Sequence, residues 1–107
     1  MPVNDDVFAA LASPARREVL RLLLDGPMAA GAIAERFAMA RPSLSEHLRV
    51  LREAGLVTEQ RQGRNRVYRL DAAPLEEVAD WLTPYERFWR AKLANLRDLL
   101  DEEEEDR

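Results

Sequence analysis

Seven arginines stand between residues 41 and 69 (Arg41, Arg49, Arg52, Arg61, Arg64, Arg66 and Arg69), against three glutamates (Glu46, Glu53 and Glu59), a local surplus of +4. Guanidinium groups gathered this way can neutralise phosphates and release their counterions, and they can offer paired donors to O6 and N7 of guanine. Ser45 adds a small hydroxyl that lets a backbone come close to a duplex. The same stretch is poorly equipped for catalysis. The chain has no cysteine and a single histidine, His47, so thiolate metal sites, disulfides and cysteine nucleophiles are excluded, and a transition-metal site would need carboxylates alone. No paired catalytic carboxylates, phosphate-binding loop or nucleophile with its base can be assembled. The expected chemistry is binding, without enzyme activity, cofactor or metal.

These residues need a scaffold, and 107 residues with 47% hydrophobic content suffice for one domain with a modest core. The net charge of −4 is unevenly spread: residues 98–107, DLLDEEEEDR, hold seven acids and one arginine, a net of −6, which leaves +2 on residues 1–97. No basic region precedes the apolar residues of the N-terminus, and no apolar run approaches the ~18 residues of a membrane span, so a soluble cytoplasmic protein without membrane contact is expected.

Helix signals follow one another along the chain. Asn4 is placed to cap a helix from Asp5 to about Ala12, with Val7, Phe8 and Leu11 as its apolar stripe. Ser13 before Pro14 starts a second helix, which runs until Asp25-Gly26-Pro27 stops it. Its Val19, Leu20, Leu22, Leu23 and Leu24 cover more than one face, which predicts burial. A third helix is expected from Ala30 to Phe37, then a turn at Ala38-Met39-Ala40. In the next helix, opened by Pro42 and closed by Ala54-Gly55, Leu44, Leu48 and Leu51 recur at i, i+4 and i+7. Two strands, about Leu56 to Arg61 and Arg66 to Leu70, are joined by Gln62-Gly63-Arg64-Asn65, where Gly63 and Asn65 tolerate positive φ. A helix covers Leu75 to Leu82. Thr83-Pro84-Tyr85-Glu86 then reads as a capping box that begins a new helix, or kinks the same one, continuing to about Leu100.

Helix, helix, helix-turn-helix, hairpin, helix is the order of a mainly α, winged helix-turn-helix domain with a two-stranded hairpin wing. On the helix after the turn, Leu44, Leu48, Leu51 and Gly55 share one face, while Ser45, Glu46, Arg49 and Glu53 lie opposite, with Arg41 and Pro42 at the exposed N-terminal end. That outward face suits entry into a major groove. Glu46 either accepts from cytosine N4 or orients Arg49. His47, beside the apolar face, is placed for a helix-edge hydrogen bond as well as for base contact.

The stretches LASPARREVLRLLLDGP, SLSEHLRVLREAGLV and RQGRNRVYRLD resemble the ArsR (arsenic-repressor) family of bacterial winged-helix transcription regulators over about residues 5–100. The resemblance implies a homodimer that binds a twofold-symmetric operator in double-stranded DNA as a repressor. It puts Arg41, Ser43, Ser45, Glu46 and Arg49 on the recognition helix and Gln62, Gly63, Arg64 and Arg66 on the wing. With Pro42, His47 and Arg61, these make up the expected DNA-binding set. Two departures stand out. GAIAERF replaces the cysteine-rich metal motif that sensing members carry before the recognition helix, and the carboxylate and histidine set of zinc sensors is missing from the last helix.

The core already has Leu20, Leu23, Ile33, Phe37, Leu44, Leu48 and Leu51. Trp81, Leu82, Tyr85, Phe88, Trp89, Leu93, Leu96 and Leu100 therefore need another cover. A second copy is expected to supply it, with Val7, Phe8 and Leu11, making residues 1–12 and 75–100 dimerisation helices and 101–107 a disordered acidic tail. A pocket among these aromatics for a small apolar effector is the lesser reading, and an effector, small molecule or protein, is left open as a partner. The rival class is a winged helix that serves as a protein-interaction module.

Overall fold

The computed structural model describes residues 5–105, with side chains to residue 102; the Asn4 cap falls outside them. Helix α1 spans Asp5–Leu11, α2 Pro14–Leu22, α3 Ala30–Glu35, α4 Arg41–Glu53, α5 Leu75–Leu82 and α6 Arg87–Glu105. Short 3₁₀ turns, Leu23–Asp25 and Thr83–Tyr85, follow α2 and α5. Strands β1 (Met28–Ala29), β2 (Val57–Gln62) and β3 (Asn65–Leu70) form an antiparallel sheet in the order β1-β3-β2.

Local chemistry sets most of these boundaries. The Ser13 hydroxyl accepts from the Arg16 amide at 3.4 Å, and Pro14 takes the first helical position of α2. Helix α4 ends in a Schellman motif: the Leu56 amide reaches Leu51 O and the Gly55 amide reaches Arg52 O, both at 3.0 Å. Gly55 supplies the left-handed turn this requires, at φ 78°. Leu56 is thereby spent on the cap, and β2 starts at Val57 rather than Leu56. At the wing tip Gln62 pairs with Asn65, which leaves a two-residue loop. Only Gly63 has positive φ there, so the turn follows the type II′ pattern and Asn65 does not use the left-handed conformation it tolerates.

Leu44, Leu48 and Leu51 of α4 are buried with Val19, Leu20 and Leu23, Ile33 of α3, and Leu56, Val57 and Tyr68 at the base of the wing. Phe37 only packs on the edge of this core, because α3 ends at Glu35. Leu24, expected inside, is 69% exposed: α2 gives way to a 3₁₀ turn after Leu22, which turns Leu24 outward while Leu23 stays buried.

The expected β2–β3 hairpin forms, and Met28 and Ala29 add a third, two-residue strand by pairing with Tyr68 and Val67. The expected capping box does not form. Thr83 does not cap a new helix: it keeps helical angles, and its hydroxyl donates to Ala79 O at 3.0 Å. Glu86 pairs with Arg90 at 2.9 Å. The chain passes through the 3₁₀ turn as one kinked helical run, the second of the two courses expected there.

Helix α6 continues past Leu100 to Glu105, so residues 101–105 of the expected disordered tail are helical; residues 106 and 107 lie outside the described set. Among the described residues, α6 packs mainly on the turn that leads into it. The radius of gyration is accordingly 18.3 Å, against about 13 Å for a compact domain of this length.

Candidate nucleic-acid interface

The polar face of α4 and the wing enclose a groove of about 790 Å³. Its walls include Arg41, Pro42, Ser45, Glu46, Arg49 and Arg52 from α4, and Arg64, Asn65, Arg66 and Tyr68 from the wing. Ala30, Gly31 and Ala34 of α3 complete the lining with small residues. The apolar stripe of α4 creates this arrangement. Burying Leu44, Leu48 and Leu51 turns Arg41, Ser45, Glu46 and Arg49 outward, and all four are exposed. No side chain caps the N-terminus of α4, so the positive end of its dipole is open to an anion such as phosphate.

The arginines of the groove and of the wing differ in their partners. Arg49 is held by Glu46, through Nε at 3.0 Å and a second bond from Nη2, and by Glu53 at 2.7 Å. Glu46 thus fixes the Arg49 guanidinium on the outward face of α4. That hydrogen bond holds the Glu46 carboxyl below its ordinary range and raises the Arg49 guanidinium above its own. Glu59 takes Arg52 from the last turn of α4 on one oxygen and Arg66 from β3 on the other at 3.4 Å. Tyr68 donates to the same carboxylate at 3.2 Å. Burial, and next the Glu59 charge, push the Tyr68 phenol above its ordinary value. Arg41, Arg61 and Arg64 have no carboxylate within ion-pairing distance among the described residues.

In the wing, Arg61 sits directly across from Arg66. By strand alternation they share a face with the Glu59–Tyr68 pair. Opposed like charges on neighbouring strands destabilise a ladder, and an anion placed over them relieves the repulsion. Gln62, Gly63 and Arg64 form the exposed tip.

Ser43, Pro42 and His47 line a second, shallower recess with Arg16, Glu46 and Val50. His47 is half-buried there, and its Nδ1 accepts from Arg16 Nη1 at 3.3 Å. Arg16 also donates to Ala10 O at 2.8 Å and Ala9 O at 2.9 Å, and so satisfies carbonyls at the end of α1 while it braces the recognition helix. Arg16 was not among the expected residues; its partners lie on other helices, and nothing local signals them. Glu59 and Arg52 were missed as an organised pair for the same reason.

The expected pairing residues divide. Val7 is fully buried in the chain's own core and has no surface to offer a partner, a correction to its place in that set. Phe8 and Leu11 are half-buried, Phe8 meeting Trp81 edge-on at 5.8 Å between centroids. Leu82 is half-buried, while Trp81, Tyr85, Phe88, Trp89, Leu93, Leu96 and Leu100 are 39% to 63% exposed; Leu99, outside the expected set, is 59% exposed beside them.

Among the described residues no group of three or more histidine, cysteine, aspartate or glutamate side chains is placed to hold a metal ion, and no helix is long and apolar enough to cross a membrane.

Residues 11–60 match the model of a helix-turn-helix domain. The chain is 38% identical to the transcriptional repressor SdpR of Bacillus subtilis over 73% of its own length and 87% of that protein. To the HTH-type transcriptional regulator Rv2034 of Mycobacterium tuberculosis it is 37% identical over 95% of its length and 92% of that protein. A solved ArsR-like transcriptional regulator from Rhodococcus sp. RHA1 superposes with a TM-score of 0.71 at 31% identity, over 92% of this chain and 90% of that one. Wing, recognition helix and full-length similarity agree, and this chain belongs to the ArsR family of winged helix-turn-helix transcriptional regulators.

Proposed function

We propose that the protein is a cytoplasmic transcriptional repressor, without enzyme activity, that binds an inverted-repeat operator as a homodimer. One observation carries the DNA reading: the groove between α4 and the wing joins the free arginines Arg41 and Arg64 with Ser45 and the carboxylate-held Arg49. In this reading Arg41, Pro42, Ser43, Ser45 and Arg49 meet base edges and nearby phosphates. Arg61, Gln62, Gly63, Arg64 and Arg66 of the wing meet the backbone or minor groove. Glu46 acts through Arg49, and His47 through Arg16. The name of the B. subtilis relative supports repression. The exposed face of α5 and α6, with Phe8 and Leu11 at its margin, supports pairing with a second copy, which sets two recognition helices about one DNA turn apart.

The test is binding to duplex fragments across a salt series. Affinity is expected to fall steeply with salt and to favour an inverted repeat with half-sites about 10 bp apart. A flat salt response without sequence preference would overturn this reading in favour of a protein-interaction module.

A further inference from the structure

We infer that Glu59 is a specificity-determining residue of DNA recognition, a carboxylate that withholds two arginines from phosphate and ties the wing to the recognition helix. The inference rests on the DNA-binding reading of the same groove. Glu59 lies on β2 with its side chain only 20% exposed. Its Oε2 receives Arg52 of α4 and the Tyr68 hydroxyl, and its Oε1 receives Arg66 of β3. One carboxylate thus spans the two elements that must approach DNA together. Its charge is opposed by two guanidiniums, both of which line the groove.

Phosphate contacts strengthen binding to every sequence alike, whereas base contacts discriminate. An arginine already engaged by a carboxylate must give up that partner before it neutralises a phosphate. Arg52 and Arg66 are therefore available only where the fit of the whole interface repays the exchange, as at the operator. On arbitrary DNA they stay with Glu59. The opposed Arg61 and Arg66 fit the same logic, since Glu59 offsets their repulsion in the absence of an external anion.

Glu59→Gln keeps the shape and an acceptor for Tyr68 while removing the charge. On random-sequence duplex its log–log salt slope is expected to steepen by about 0.9 for each arginine released, up to about 1.8. Discrimination between operator and random sequence should shrink by about tenfold, within the range that separates matched from mismatched sites. Glu59→Asp retains the charge, draws it back by one methylene, and is expected to fall between wild type and Glu59→Gln; it serves if the neutral variant fails to fold. A fall in affinity for both duplexes with an unchanged or shallower slope, in whichever variant folds, would make Glu59 a structural residue only and overturn the inference. If wild type itself shows no salt dependence, the DNA reading fails first, and that outcome is separate from any effect of Glu59.

Discussion

Replacing both Leu93 and Leu96 with glutamate tests the pairing surface without touching the groove. Both leucines lie on α6, 60% and 54% exposed, in the stripe that runs from Trp89 to Leu100. With each side chain about half covered in the single chain, completing its burial is worth about 1 kcal/mol, half of the full value for a leucine. Two leucines on each of two copies then contribute about 4 kcal/mol, or about a thousandfold in the dimer dissociation constant. Desolvation of the introduced carboxylates adds to the loss. Among the described residues the core draws none from α6, so the variant is expected to fold normally, as circular dichroism and thermal unfolding would show. Sedimentation across a concentration series should find monomers where wild type is expected to be dimeric. Affinity for an inverted repeat should fall sharply although every groove residue is intact, because two half-sites are no longer engaged together. A dimer of unchanged stability would refute the reasoning and move the pairing surface elsewhere.

Three further outcomes are expected. Arg64→Ala should weaken binding to all duplexes alike and lower the salt slope by about 0.9, whereas Arg41→Ala should change which bases are preferred, by about 1 to 3 kcal/mol at the affected position; identical specificity profiles would contradict this division. Calorimetry with zinc, arsenite or cadmium at low micromolar levels should show no stoichiometric binding, and the metals should not release DNA; one metal per chain would contradict it. Because burial raises the Tyr68 phenol above 10.0, the folded state holds that proton more tightly than the unfolded one. Its stabilising contribution is therefore intact below that pH and is lost as pH rises through the folded value. Wild type should lose more stability than Tyr68→Phe in alkaline thermal melts, and equal losses would remove the assignment.

Much of the architecture was legible because its signals are local. Ser13-Pro14 starts α2, Ala54-Gly55 closes α4, Gly63 turns the hairpin and Leu75 to Leu82 is a helix; each depends on capping, left-handed geometry or periodicity within a few neighbouring residues. The same periodicity made the outward face of α4 readable, since burying Leu44, Leu48 and Leu51 leaves Arg41, Ser45, Glu46 and Arg49 no other direction. The rest came from contacts that no local pattern encodes. Met28 and Ala29 become a strand only because β3 is there to pair with them, and two residues are too few for alternation to appear. Val7 sits in one apolar stripe with Phe8 and Leu11, yet packing sends Val7 wholly into the core, leaves Leu11 at its margin and sets Phe8 against Trp81. Thr83 and Glu86 match a capping box, but a helical backbone already running through Thr83 gives its hydroxyl the Ala79 carbonyl instead. Arg16 and His47 are 31 positions apart, and Glu59 reaches Arg52 and Arg66 on two different elements. Charge and spacing identified the arginines, and the i,i+3 and i,i+4 spacing within α4 gives Arg49 to Glu46 and Glu53, but only the packing of the recognition helix against the wing and the pairing of its strands bring Glu59 to Arg52 and Arg66.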